Sequence, residues 1–194
     1  MEKDIEKIRR DIVFDATLRG EPFMFHSTWG LFSPTEIDEG SRLLIDQLEV
    51  KPDSFSLDIG CGYGAIGIPL AKASPQGAMH MIDKDFVAVE YAKKNAALNR
   101  VPNCTTYLSN GFSHVPDTRF DLIVSNLPAK VGREFLWLLL HDAKQHLKPG
   151  GEIWVVTISG LREFIKRNFN ETFGNYEKVK QGKNYTVGKA VKER

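Results

Sequence analysis

Two carboxylates and a run of glycines carry the first chemical signal. In SLDIGCGYGAIGIPLA, Asp58 stands two residues before Gly60, and Gly62 and Gly64 follow where an apolar run gives way to a helix-period one. Glycines at such a turn let the backbone approach a ligand closely, and a helix N-terminus presents unpaired N–H groups. Two kinds of ligand suit a turn of this type. A dinucleotide would place its pyrophosphate there, usually with an apolar residue before the first glycine. A carboxylate at Asp58 would repel that anion and suits a ligand with ammonium and sulfonium charges, as in S-adenosylmethionine. The second acid agrees: MHMIDKD ends an apolar run at Asp83, 25 residues after Asp58. There a carboxylate accepts hydrogen bonds from both hydroxyls of a ribose. Asp85 reads as a helix cap.

Transfer of a methyl group from a sulfonium is an in-line displacement that needs no metal, so the protein's main task is alignment. The stretch SNLPAK, directly after the apolar run FDLIV, has the parts for it. An amine conjugated to a ring is a poor nucleophile, and two acceptors on its N–H bonds would hold it and stabilise charge developing on nitrogen. Asn126, through its side-chain oxygen, and the backbone carbonyl of Leu127 supply such a pair. Pro128 biases Leu127 towards an extended conformation with its carbonyl outwards. This step resembles the Asn-Pro-Pro-aromatic site of enzymes that methylate amines, with Leu127 and Ala129 departing from the pattern. Ala129 cannot stack on a target ring, so stacking is expected from elsewhere, with Trp29 or Phe32 the first places to look.

These groups must be positioned by a sheet. FSLDI (55–59), AMHMI (78–82), TTYL (105–108), FDLIV (120–124) and EIWVVTI (152–158) read as strands. They alternate with helix-period segments such as FVAVEYAKKNAALN and REFLWLLLHDAKQHL, the latter a helix over 133–147 that ends at KPGG. This alternation predicts an α/β fold with a mainly parallel sheet covered on both faces. SGLREFIKRNF is a last helix, and YEKVKQGKNYTVGKAV reads as two strands around Gly182. Upstream, DIVFDATLRGEPFMFHST suggests a small β appendage with a turn near RGEP. SPTEIDEGSRLLIDQL reads as a helix capped by Ser33, with Pro34 in its first turn and Glu36 completing a capping box.

Together these features resemble the class I S-adenosylmethionine-dependent methyltransferases, from about residue 31 to the C-terminus. The resemblance implies a Rossmann-like, doubly wound, mainly parallel seven-stranded sheet with an antiparallel C-terminal strand. Residues 1–32 would form the N-terminal β/helix appendage, and 33–194 the methyltransferase domain. Within the class, GLFSPTEIDEGSRLLI, LDIGCGYGAIGIPLA, SNLPAKVGREFL and KNYTVGKAVK are similar to the small-domain family related to ribosomal small-subunit RNA guanine-N2 methyltransferases. That resemblance implies a cofactor site of Phe32, Asp58, Gly60, Cys61, Gly62, Asp83, Lys84, Asn110, Gly111 and Asn126. Asn110 stands where many members have an aspartate for the adenine amino group; the alternative is a turn residue before Gly111. Phe32 would cover the methionine end of the cofactor or be an ordinary core side chain. Larger members carry a further N-terminal domain that helps with RNA, and the expectation is that this chain lacks it.

The expected partner is RNA, ribosomal or in an assembled subunit, with the protein a monomer or homodimer. With 26 Lys and Arg against 25 Asp and Glu, the net charge of +1 requires a local basic patch and not a strong overall field. Lys130 and Arg133 lie beside the transfer loop, Arg162, Lys166 and Arg167 in the last helix, and Lys178, Lys180 and Lys183 in the tail; ordinary solvated faces are the plainer reading of each cluster. Trp29 would stack on a base, although packing is its more usual role. His80 reads as a core histidine. No Cys-x-x-Cys or His-Glu-x-x-His spacing occurs, so no metal is expected. With 42% hydrophobic residues in 194, no membrane-spanning run and a charged start, MEKDIEKIRR, a cytoplasmic protein is expected. Two other functions fit the same letters: methylation of a protein amide or small molecule, and a non-catalytic S-adenosylmethionine-binding interaction module.

Overall fold

The computed structural model describes residues 2–128 and 132–193. After a short helix α1 (Glu2–Arg9), strands β1 (Ile12–Leu18) and β2 (Glu21–Ser27) pair antiparallel as an isolated hairpin. Its two-residue loop, Arg19 and Gly20, has φ of 53° and 79°, the left-handed pair whose twist matches the flanking strands. Helix α2 (Glu39–Gln47) then leads into alternating elements: β3 (Phe55–Ile59), α3 (Gly67–Ala73), β4 (Ala78–Asp83), α4 (Phe86–Leu98), β5 (Cys104–Leu108), β6 (Phe120–Asn126), α5 (Arg133–His146) and β7 (Leu147–Ile158). The chain closes with α6 (Arg162–Phe173), β8 (Glu177–Gln181) and β9 (Tyr185–Val191).

Seven strands form one sheet in the order β5-β4-β3-β6-β7-β9-β8. β9 runs antiparallel to both neighbours, and the remaining pairs are parallel. The expected doubly wound sheet with one antiparallel C-terminal strand is what the chain forms. Period-2 alternation sorts the strand residues. Met79, Met81, Leu122, Val124, Trp154 and Val156 face one core, shared with the hairpin, α2, α3 and α4. Leu57, Ile59, Ile82, Ile123, Ile153 and Val155 face the other, under α5 and α6. Strands β4, β6 and β7 are thus apolar on both sides, as a sheet buried on two faces requires.

Strand order reverses between β3 and β6, so the carboxyl ends of β3, β4, β5 and β6 open onto the crevice where ligands bind in sheets of this kind. The hairpin is fastened beside it by Asn95 of α4. The Asn95 side chain accepts from His26 N–H (2.8 Å) and donates to the carbonyls of His26 (2.8 Å) and Tyr63 (2.9 Å).

Two expectations are corrected. The helix expected from Ser33 begins at Glu39, and its cap is Asp38, which accepts from Ser41 N–H at 3.0 Å. Ser33 has φ 45°, outside helical geometry, and donates to the Glu36 carbonyl at 2.7 Å within a turn. The hydroxyl of Tyr63 fastens that turn, donating to the carbonyls of Ser33 (3.2 Å) and Glu36 (3.0 Å). Leu147, expected to end the helix, already pairs with Phe120. The KPGG reversal is absorbed as an irregularity inside β7, with Gly150 at φ 78°.

Candidate active site

The glycine turn is held by its own surroundings. Gly60 and Cys61 donate their N–H groups to the Ile82 carbonyl at 2.8 and 2.9 Å, and Gly62 donates to Asp83 Oδ2 at 2.9 Å. Gly60, Gly62 and Gly64 have φ of 71°, 55° and 95°, the region open to glycine. Asp58 Oδ2 accepts from Gly67 N–H at 2.8 Å, occupying the first turn of α3. A pyrophosphate would need free donors, and these four are already paired.

Asp58 is 1% exposed, and its Oδ1 is buried without a hydrogen-bond partner among the described residues. Burial pushes its carboxyl up to about 7; the Gly67 N–H opposes this and the nearby Asp83 charge adds to it. Such a carboxylate favours positive charge in the crevice beside it. Burial, with the Asp58 and Asp83 charges, also holds the Cys61 thiol well above its ordinary range. That thiol is not a nucleophile. Asp83 ends β4 with Oδ2 on Gly62 N–H and Oδ1 on Asp85 N–H (3.0 Å), which fixes the carboxylate while leaving lone pairs for further donors. Asp85 caps α4 through Val87 N–H at 2.8 Å, as expected. Lys84 and Asn110 are exposed, and Gly111 turns with φ 57°. Ser109 Oγ pins that turn by donating to the Gly111 carbonyl at 2.6 Å.

Across the switch point, Asn126 ends β6. Its Nδ2 donates to Asp38 Oδ2 at 2.8 Å and to Ser41 Oγ at 3.0 Å. A carboxylate only accepts, so the amide nitrogen must face Asp38, and Oδ1 is left as the outward acceptor. Leu127 is 3% exposed, packs into the core under α5 and donates its N–H to the Val156 carbonyl at 2.9 Å. Its side chain and its N–H are therefore anchors. Pro128 is exposed. Ala129 and Lys130 lie outside the described residues.

Phe32 and Trp29 are 64% and 56% exposed, which excludes a core role for Phe32 and corrects the packing role expected of Trp29. Gly30 between them, at φ 101°, turns the chain outwards. Arg133 begins α5, but its guanidinium lies 5.7 Å from the Phe164 ring centroid of α6, beside that of Arg167 at 5.8 Å. The groove there, about 580 Å³, is also lined by Glu134, Trp137 and Glu171. Two glutamates balance its two arginines, so it is no basic patch. Arg162 pairs with Glu163 at 2.9 Å, whereas Lys178, Lys180 and Lys183 are exposed. His80 stacks edge-on with Phe55, Tyr107 and Phe120 and bonds the Tyr107 hydroxyl at 2.9 Å; burial lowers its pKa, so it stays neutral, as expected of a core histidine. Among the described residues no cluster of His, Cys, Asp or Glu could hold a metal, and no helix is long and apolar enough to cross a membrane.

Asp38, Ser41 and Tyr185 were not singled out from sequence, although the first two hold Asn126 and the third donates to Asp38 Oδ1 at 3.0 Å. The available signal for Asp38 was its place three residues before Ser41, the spacing of a helix cap. Tyr185 offered none, since it arrives from the far end of the chain.

A family model described as methyltransferase small domain matches residues 22–189. The Bacillus subtilis (strain 168) protein YbxB is 37% identical over 179 residues, 90% of this chain and 89% of that one. The ribosomal RNA small subunit methyltransferase C of Hamiltonella defensa is 33% identical over 166 residues, 84% of this chain and 48% of that protein. Among solved structures, the T. thermophilus 16S rRNA N2 methyltransferase RsmC in complex with AdoMet and guanosine superposes with a TM-score of 0.85 at 27% identity, over 94% of this chain and 50% of that one. The chain thus spans about half the length of these ribosomal RNA methyltransferases.

Proposed function

Because the chain belongs to the methyltransferase small-domain family and is an S-adenosylmethionine-dependent methyltransferase, we propose that its acceptor is the exocyclic N2 amine of a guanine in ribosomal RNA. The observation that carries this reading is the orientation of Asn126, whose two amide hydrogens are taken by Asp38 and Ser41. A site that needed to donate to its substrate would not consume both. A flat amine with two N–H bonds is the matching group, and the relatives named for ribosomal RNA methylation supply the macromolecule.

The crevice fits the cofactor on two counts. The unpartnered Oδ1 of buried Asp58 suits a cationic ligand, and the paired N–H groups of the glycine turn disfavour a pyrophosphate. Asp83 would hold the ribose hydroxyls, with Gly60, Cys61 and Gly62 close against the ligand. Lys84, Asn110 and Gly111 would border the adenine, and Phe32 would cover the methionine end. When bound, S-adenosylmethionine supplies an electrophilic methyl group on a sulfonium. The acceptor amine would be gripped at its two N–H bonds by Asn126 Oδ1 and the Leu127 carbonyl. As the new C–N bond forms and the methyl–sulfur bond breaks, its electron pair staying on sulfur as a thioether, positive charge develops on nitrogen, and both oxygens would stabilise it more in the transition state than before. The spare proton then leaves to water. Pro128 stiffens the strand end, and Trp29 and Lys130 would contact the RNA around the extruded base.

The test is to supply methyl-labelled S-adenosylmethionine with deproteinised ribosomal RNA, with ribosomal subunits and with protein extract, then to digest the labelled fraction. Label recovered as N2-methylguanosine is expected. Label recovered in protein alone would sink the reading.

A further inference from the structure

We propose that Asp38 is the positioning residue for Asn126, backed by Tyr185 and Ser41, so that the acceptor-holding amide is set by a buttress drawn from α2 and β9. This inference rests on the functional reading above and adds to it the residues that set the amide. Two of the sequence segments similar to the family, IDEGSRLLI and KNYTVGKAVK, carry polar residues outside the cofactor site. Both converge on the end of β6. Asp38 Oδ2 accepts from Asn126 Nδ2 at 2.8 Å and from Ser41 N–H at 3.0 Å, while its Oδ1 accepts from the Tyr185 hydroxyl at 3.0 Å. Buried Ser41 offers Asn126 a second acceptor at 3.0 Å.

The packing behind this network is close. A Cβ on Gly40 would come within 2.7 Å of the Tyr185 ring and 3.0 Å of Asp38 Oδ2. Only glycine lets Tyr185 approach the carboxylate there. The Tyr185 phenol is pushed up by burial and by the Asp38 carboxylate it donates to, so it remains a donor. Asn184, its neighbour, donates to Glu39 at 3.1 Å, and the adjacent Ser159 N–H donates to the Asn184 carbonyl at 2.8 Å. The start of β9 is thereby tied to α2 and to the end of β7.

The arrangement has two chemical consequences. It fixes which end of the amide faces outwards, because a carboxylate cannot donate and the reversed amide would set oxygen against oxygen. It also polarises the amide: a charge-assisted bond at Nδ2 draws electron density towards Oδ1, making it a better acceptor for an amine gaining positive charge. Asp38 as a mere helix cap would do neither. The two roles separate because asparagine caps a helix as well as aspartate does.

Asp38→Asn therefore keeps the cap and removes the acceptor-only group. It is expected to lower kcat on ribosomal RNA by about 10- to 10²-fold, with cofactor affinity and thermal midpoint close to those of the unchanged protein. Combined with Asn126→Ala it should cost nothing further, because the residue it positions is gone. Tyr185→Phe, a gentler change, is expected to lower kcat about 3- to 10-fold. A readout independent of turnover is the Asn126 side-chain NH₂ signal in ¹⁵N-labelled protein, assigned by its loss in Asn126→Ala. Both hydrogens should be protected from solvent exchange and become fast-exchanging in Asp38→Asn. Unchanged exchange in that variant, or multiplicative losses in the double variant, would overturn the proposal. Failure of the unchanged protein to methylate RNA would instead strike the functional reading and leave the exchange measurement standing.

Discussion

The two halves of the crevice are built by opposite means. On the β3–β4 side, the two carboxylates proposed for the cofactor, Asp58 and Asp83, belong to one continuous β-α-β stretch and are locked by backbone N–H groups of Gly62, Gly67 and Asp85. On the β6 side, Asn126 is set by the side chains of Asp38 and Ser41, 88 and 85 residues away, and Asp38 is held in turn by Tyr185, 147 residues from it. A backbone-locked site depends on glycine at a few positions, and a side-chain-locked one depends on how α2 and β9 dock. The first should tolerate changes elsewhere in the fold, whereas the second should feel them.

The sharpest way to break this comparison is to injure each half alone. Asn126→Ala is expected to lower turnover by about 10²-fold or more, as for loss of one oriented group acting on the transition state, with cofactor affinity unchanged. Asp83→Ala should do the reverse, weakening the cofactor by about 10- to 10²-fold through lost charge-assisted bonds, with turnover at saturating cofactor largely kept. Calorimetric cofactor titration beside single-turnover kinetics separates the two. If either variant moved both quantities equally, the halves would be one coupled unit.

Asp58 provides a smaller effect, graded by pH. Its carboxyl is raised to about 7 from an ordinary value of 3.8, so between these values the folded protein holds a proton that the unfolded chain has lost. Stability therefore falls as pH rises through that window and levels off above it; below it both states are protonated and nothing changes. A cationic ligand favours the charged form, so cofactor affinity should rise up to about tenfold per pH unit towards pH 7 and flatten above. Titration in buffers of different ionisation enthalpy should detect nearly one proton released at about pH 6 and almost none at about pH 8. Asp58→Asn should remove this dependence, and a flat profile in the unchanged protein would dismiss the role.

The same contrast explains what could be read from the letters. The strand at 55–59 and the acids at its end and at Asp83 were legible because period-2 alternation and a strand–turn–helix spacing are local. The helix start was misread because Ser33-Pro34-Thr35-Glu36 matches a capping box, while Asp38 wins by satisfying three donors at once, two of them from distant elements. Asn126 was legible as an acceptor, but not the reason its oxygen faces outwards. That reason lies in pairings across the chain that no window of sequence contains.

Trp29 and Phe32 carry the smallest expected effect. Both are exposed on one short loop, three residues apart, and Gly30 turns that loop outwards. If Trp29 replaces the aromatic that Ala129 lacks, Trp29→Ala should raise KM for RNA by about 5- to 10-fold, the low end for one base–aromatic stack. Turnover at saturating RNA and cofactor affinity should stay put. Phe32→Ala should instead weaken the cofactor, by a similar factor, because its proposed contact is the methionine end. Substituting both and finding that only RNA binding suffers would move Phe32 to the acceptor side, and the loop would then belong wholly to substrate grip.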